Sequence, residues 1–413
     1  MSFLWKQSKV ELTPEQRLET LLKTTPIVDT HNDFPYLLRI QLHNILSPET
    51  KFDFNDEHLL NHTSLPKIKK GRLGVQFFSA YIECRYPDGL SQDFNHRTPI
   101  VRDTIEQIDV VERLIAKYDK DMKFAWTSKQ AWDIYQKEGK LAITIGVEGL
   151  HQCDASIAMV RKYFDLGVRY ITLTHNCDNP FATAASSVTA GLEDKGLTEL
   201  GKECIGEMNR IGMLVDLSHV SYQTMIDTLE VTKSPVIFSH SSAFAKCPHA
   251  RNVKDDVLLK VKENRGVVQV NFYPAFLKNP EKKSDKVTID DAIDHIFHIA
   301  EIAGWESVGL GSDFDGIDNV PEGLEDVSKY PDLLIKVMER GATDSQIQGL
   351  MGGNILRVWK ENEDVAKKLQ ANNEPISEGV WAGRNWDAHA RSEKLPSLFQ
   401  GAYELFFRKD TST

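Results

Sequence analysis

The chain has 413 residues, 41% of them apolar and 26% charged, with a formal net charge of −11. That apolar share can bury a sizeable core, which excludes an intrinsically disordered chain. The acidic field repels phosphate backbones and so disfavours nucleic-acid binding, and no run of eighteen apolar residues is present to span a membrane. The first element is announced by Thr13-Pro14-Glu15-Gln16, a capping box with proline at the first helical position, and Leu18, Leu21 and Leu22 continue at helical spacing. Short β-branched or aromatic runs then recur at 26–31, 75–82, 141–148 and 168–175, and again at 212–219, 234–240, 266–273 and 307–313. Helical patterns lie between most of them. Residues 101–117 carry Ile105, Ile108, Val111, Leu114 and Ile115, and residues 198–211 carry Leu200, Cys204, Ile205, Met208 and Ile211 between Thr198 and Gly212.

Eight strand candidates alternating with helices predict a parallel sheet closed into a (β/α)8 TIM barrel. The runs are apolar throughout, as strands covered on both faces must be. An open doubly wound sheet is the alternative, but no GxGxxG follows a strand and no phosphate loop is present. The reading is an α/β chain of one domain over 1–413. It has an N-terminal helix, a barrel over about 26–360 and a C-terminal extension over about 361–413 that packs on the barrel. Gly352-Gly353-Asn354 interrupts a helical pattern, and close helix packing accounts for those glycines better than a phosphate nest.

Five cysteines, Cys84, Cys153, Cys177, Cys204 and Cys247, are odd in number and show no CxxC spacing. Reduced thiols are therefore expected. The start, MSFLWKQSKVELTPEQ, lacks the apolar core of a secretory signal, and the tail, LFFRKDTST, lacks the hydrophobic stretch of a lipid-anchor signal. A cytoplasmic location is expected. The sequon Asn61-His62-Thr63 is read as a chance match.

Metal-capable side chains gather where the strand candidates end. His31 and Asp33 follow the first, Glu148 ends the third and His175 follows the fourth. His219 ends the fifth, His240 the sixth and Asp313 the eighth. In a barrel all carboxyl ends open on one face, where catalytic groups sit. His31-x-Asp33 has the two-residue spacing that turns both side chains the same way on a strand. Glu148 follows Ile143, Ile145 and Val147, and a carboxylate in so apolar a strand is costly unless paired or metal-bound. Singly, His219 and His240 read as hydrogen-bonded core histidines and Asp313 as a turn residue in GSDFDG; jointly they read as a metal centre. His151 and His249 are candidates for contacts that back the ligands. His295 and His298, at i,i+3 on a predicted helix away from that face, are expected to be solvated.

Several stretches resemble the membrane (renal) dipeptidase family of zinc peptidases. They are VDTHNDFP at 28–35, GVEG at 146–149, YITLTHN at 170–176, DLSHV at 216–220, FSHS at 238–241, ARNVKDDVL at 250–258, VNFY at 270–273 and GSDFDG at 311–316. The resemblance runs from about residue 26 to 360 and implies a TIM barrel holding two Zn²⁺ ions. By position His31 and Asp33 would bind one ion, His219 and His240 the other, and Glu148 would bridge them. It implies that His175 contacts substrate without binding metal and that Arg251 pairs with a substrate carboxylate. Asp313 becomes the acidic group beside the attacking water, and Tyr273 joins the substrate-binding set. A homodimer is also implied. There are departures: nothing supports secretion or a lipid anchor, and Phe276 stands where the family carries a tyrosine. Cys84 and Cys177 fall where the family can form a disulfide, although a cytoplasmic location predicts them reduced.

These residues permit hydrolysis of dipeptides by a metal-bridging hydroxide, with Asp313 moving the proton and His175 steadying the oxyanion. No serine or cysteine nucleophile is needed, so no acyl-enzyme is expected. The alternatives are a related binuclear metallohydrolase acting on glutathione-derived conjugates, lactams or other small amides, and a non-catalytic barrel. Loss of a ligand would mark the latter, and none is lost.

Overall fold

A computed structural model of the chain describes residues 12–84, 93–94, 98–279 and 286–384. The part of the expected C-terminal extension beyond 384 lies outside the described residues. Eight parallel strands lie side by side in sequence order. They are β1 (Ile27–Asn32), β2 (Leu73–Ala80), β3 (Leu141–Val147), β4 (Val168–Thr172), β5 (Leu214–Asp216), β6 (Ile237–Phe238), β7 (Val267–Val270) and β8 (Val308–Leu310). Each coincides with one of the eight apolar runs. Every residue of β1 to β4 is buried, as expected for strands covered on both faces.

The sheet comes round on itself. Just past β8 a parallel bridge joins Phe314 to Asn32, with Asp33 N donating to the Phe314 carbonyl at 2.9 Å and Asp313 N to that of His31 at 3.2 Å. The fold is a (β/α)8 TIM barrel. A further three-residue strand, Met122–Phe124, runs parallel to the start of β3 from Met122↔Leu141 to Phe124↔Ile143. The sequence reading missed it, since three residues carry too little periodicity to separate from a loop.

Alternate strand residues sort into two cores. Val28, Phe77, Ala142, Tyr170, Leu214, Ile237 and Val267 form one cluster with Trp359. Side chains from seven strands can meet only inside the barrel, and Trp359, from helix Asn354–Ala371, stacks near Phe77 at 5.4 Å between ring centroids and plugs its floor. The other faces, including Ile143, Ile145, Ile171, Val215, Phe238 and Val268, pack under the surrounding helices.

Those helices start where the sequence signals said. Thr13 N donates to Gln16 Oε1 at 3.0 Å and Gln16 N to Thr13 Oγ1 at 3.4 Å, completing the box at the head of Pro14–Leu21. Ile100–Lys117 and Glu199–Ile211 match the two periodic stretches, the latter capped by Thr198 Oγ1, which accepts from Gly201 N at 3.0 Å. Gly352 is present for closeness, as expected, but its neighbour is β1. A Cβ there would meet the Pro26 carbonyl oxygen at 2.4 Å and Val28 Cγ2 at 2.5 Å. The sequon's Asn61 is engaged within the fold, its Nδ2 donating to the Thr63 carbonyl at 2.7 Å and to Asp315 Oδ2 at 3.3 Å. Among the described residues no helix is long and apolar enough to cross a membrane.

Two expectations are corrected. Cys84 and Cys177 are joined by a disulfide, so these two thiols are not reduced. Composition could not reveal this, because the bond joins residues 93 positions apart that only the fold brings together. His295 is not solvated but fully buried. It falls on the stripe of Ala292, Ile296 and Ile299, the face that helix Ile289–Ala303 turns inward. Its Nδ1 accepts from Ala243 N at 2.9 Å and its Nε2 lies 2.9 Å from the Leu277 carbonyl oxygen. His298, one turn on, is partly buried and pairs with Asp255 at 2.8 Å.

Candidate metal centre and its cleft

At the carboxyl end of the barrel the strand termini deliver seven metal-capable side chains to one point. Glu148, directly after β3, is its middle. Glu148 Oε1 lies 3.0 Å from His219 Nε2, 3.4 Å from His240 Nε2, 3.5 Å from His31 Nε2 and 3.9 Å from His175 Nε2. His31 Nε2 is also 3.2 Å from Asp33 Oδ2 and 3.9 Å from Asp313 Oδ1. His219 Nε2 and His240 Nε2 approach to 2.9 Å. Overlapping groups result: His31 with Asp33 and Glu148, His31 with His240 and Asp313, and His219 with His175 and Glu148.

The donor chemistry fits divalent cations. His31 Nε2 and Asp33 Oδ1 are buried with no hydrogen-bond partner among the described residues. Burial pulls His31 towards its neutral form, but Asp33 and Glu148 outweigh it and hold its pKa up at about 10. That corner therefore attracts positive charge. Burial, with Arg251 nearby, holds His219 and His240 well below the usual histidine range, so both keep a free lone pair at neutral pH. Burial drives Glu148 well up, a cost that a bound cation would remove.

His219 and Asp313 have φ of 65° and 68°, in the left-handed region that non-glycine residues seldom occupy. Such conformations persist where the surroundings enforce them, and they cluster at functional sites. Here they turn the two side chains back over the barrel mouth as the chain leaves β5 and β8.

The cluster forms the floor of a cavity of about 970 Å³. Of the residues nominated from sequence, Asp33, Glu148, His175, His219, Arg251, Tyr273 and Asp313 line it, while His31 and His240 lie just beneath, fully buried. His175, its side chain 11% exposed, packs its ring 4.6 Å from that of Tyr81 and 4.3 Å from that of His219. Arg251 is 6% exposed, and neither of its terminal nitrogens has a hydrogen-bond partner among the described residues. Burial lowers its pKa while Asp313 and Glu148 oppose the shift, and a guanidinium stays protonated at neutral pH regardless. Behind it stands Phe276, whose ring centroid is 5.4 Å from the guanidinium carbon. His249 lines the cavity too, its ring 4.5 Å from that of Phe276 and its Nδ1 accepting from Arg251 N at 3.2 Å, which places it beside Arg251. His151 instead lies off the cavity wall, buried and 2.8 Å from the Ile82 carbonyl oxygen.

Sequence reasoning missed Tyr36, Tyr81, Asn176 and Asp318 on the cavity wall. Tyr36 lies in helix Phe34–Leu42 and the other three in loops, where no periodicity marks them. It also missed Asp29 and Asp216, both fully buried in strands. A signal existed for these two: each is a lone carboxylate in an apolar run, the criterion that singled out Glu148.

Residues 15–373 match the membrane dipeptidase family, peptidase family M19. An uncharacterized dipeptidase from Schizosaccharomyces pombe is 59% identical over 392 residues, covering 95% of this chain and 93% of that protein. A second uncharacterized dipeptidase from the same organism is 44% identical over 363 residues, covering 86% of each. Among solved structures, a probable dipeptidase from Pseudomonas aeruginosa aligns with a TM-score of 0.72 at 20% identity, over 86% of this chain and 99% of that one. A metallopeptidase from Rhodobacter sphaeroides, liganded with a phosphinate mimic of the dipeptide L-Ala-D-Ala, aligns with a TM-score of 0.71 at 24% identity, over 82% and 99%. At those identities the two structures speak for the fold alone.

Proposed function

The chain belongs to the membrane dipeptidase family, peptidase family M19, and on that premise we propose that it is a binuclear zinc dipeptidase. The observation that carries this reading is the position of Glu148 Oε1, within 3.5 Å of three imidazole nitrogens that come from β1, β5 and β6. A carboxylate so placed can serve two cations at once. In this reading His31 and Asp33 hold one Zn²⁺, His219 and His240 the other, and Glu148 bridges. When bound, such a pair polarises a carbonyl and brings a shared water to a pKa of about 7, so a bridging hydroxide is available at neutral pH.

The chain's own groups supply the rest. Arg251, buried and unpartnered at the cavity wall, would take the substrate's C-terminal carboxylate through its terminal nitrogens. This favours a dipeptide, whose carboxylate lies one residue from the scissile bond. His175, kept neutral by burial, would donate from its ring to the carbonyl oxygen as negative charge develops there. Burial and Asp33 raise Asp313 above the ordinary carboxylate range while His31 opposes them, which suits a group that takes the water's proton and hands it to the leaving amine. Tyr273 closes the substrate side of the wall.

The test is metal analysis of the purified protein combined with hydrolysis of a dipeptide panel beside a β-lactam, a glutathione-derived conjugate and a phosphotriester. Two zinc ions per chain and turnover of dipeptides above the rest are expected. Absence of zinc, or preference for another class, overturns the proposal.

A further inference from the structure

Each imidazole of the cluster has a second nitrogen, and those nitrogens are not held alike. His219 Nδ1 lies 3.3 Å from Asn176 Oδ1 in a rim loop. The partners of His31 and His240 lie deeper in the barrel. His240 Nδ1 is 2.9 Å from Ser239 Oγ, and Ser239 Oγ donates to Asp216 Oδ2 at 2.6 Å. Because the serine proton goes to the carboxylate, His240 must donate to the serine, which fixes its proton on Nδ1 and leaves Nε2 free for the cluster. His31 Nδ1 is 2.8 Å from the hydroxyl of Tyr170, a fully buried β4 residue.

The sequence makes room for this arrangement. Gly146 pairs with Tyr170 across β3 and β4, and a Cβ on Gly146 would lie 2.0 Å from Tyr170 Cζ. A glycine in the middle of a buried strand is costly, and here its space is filled by the phenol ring. Asp216, at the end of the chain of bonds, is fully buried and also accepts from Thr172 Oγ1 at 2.6 Å, Ser239 N at 2.8 Å and Ser218 N at 3.0 Å.

We propose that Tyr170 and Ser239 are positioning residues that hold His31 and His240, one imidazole from each proposed ligand set, from inside the barrel: Tyr170 through its hydroxyl, and Ser239 by linking His240 to the buried carboxylate of Asp216. The inference rests on the ligand assignment above. Its content is that each metal position has its own internal anchor, which orients the ring above it. Groups backing a metal-bound histidine in this way commonly change metal affinity 10- to 100-fold when removed.

The test uses full-length protein and Zn²⁺ itself, with the two dissociation constants measured by chelator competition. Tyr170→Phe keeps the ring over Gly146 and deletes one oxygen; it should weaken one zinc 10- to 100-fold and leave the other near its normal affinity. Ser239→Ala, which removes the link from His240 to Asp216, should weaken the other zinc by a similar factor and leave the first near its normal affinity. With Co²⁺ in place of zinc, Tyr170→Phe should also shift the visible absorption bands, a change that mere loosening of the fold does not produce. Melting of the metal-free variants checks folding; if Tyr170→Phe is unfolded, Ser239→Ala alone decides. Wild-type affinity for both ions in the folded variants overturns the inference. His31→Ala separates the two levels: if it still binds two zinc ions, the ligand assignment itself has failed.

Discussion

Glu148 shows how much a single residue of a sequence discloses. Its strand is apolar on both faces, so a carboxylate at the end had to be compensated, and the compensation proves to be a ring of imidazoles. His31, Asp33, His175, His219, His240 and Asp313 were legible for a related reason: barrel geometry makes strand ends converge. Tyr170 was not, because it sits inside a strand, where position implies packing; Asp216 carried the signal of a lone carboxylate in an apolar run but was not singled out. Two predictions belong at this scale. His219→Ala should reduce zinc content below two per chain, measured by elemental analysis of the folded variant. Arg251→Ala should raise KM for dipeptides by roughly 30- to 1,000-fold, the equivalent of about 2–4 kcal/mol for a lost charge-assisted carboxylate contact. The same variant should be indifferent to a dipeptide amide, which lacks that carboxylate, and an equal loss on both substrates would remove the clamp role.

At the scale of elements, the eight barrel strands could be read because double burial leaves an unbroken apolar run, even where β6 keeps only two residues in regular pairing. Met122–Phe124 lay below that threshold. Helix Ile289–Ala303 was recognised in outline, but His295 was assigned to the wrong face, although spacing from Ala292 to Ile299 already gave the inward stripe. Its burial has a measurable effect. Burial lowers the pKa of His295 from 6.5 to about 4, so between those values the unfolded chain binds a proton that the folded one does not. The contribution is present in full above pH 6.5, is lost as pH falls towards about 4, and is constant below that. Its full size is on the order of 3 kcal/mol. His295→Asn should therefore flatten part of the acid limb in a plot of melting temperature against pH from 7 to 4. An unchanged slope would show that this histidine does not drive it.

For the molecule as a whole, the proposed ligands come from β1 and from the ends of β3, β5 and β6, so only the closed barrel brings them together. Cations that bind only the closed form stabilise it by mass action, by about 3–4 kcal/mol at free concentrations of 100 to 1,000 times the dissociation constant. Stripping the metal with a chelator should lower the melting temperature by several degrees, and added Zn²⁺ should restore it; a melt insensitive to both would mean that the cluster does not hold ions. Composition indicated the acidic surface field but could not show the buried Arg251 facing the cleft, since net charge carries no positions. Cysteine count misled for the same reason. Cys84 follows β2 and Cys177 follows β4, so their bond arches over the exit of β3, close to His151, which lies three positions beyond Glu148. The closed loop holds Glu148 and His175 alike. A protease that nicks the backbone once between residues 84 and 177 accordingly leaves both halves fastened together, migrating as one band on a gel until a reductant releases two.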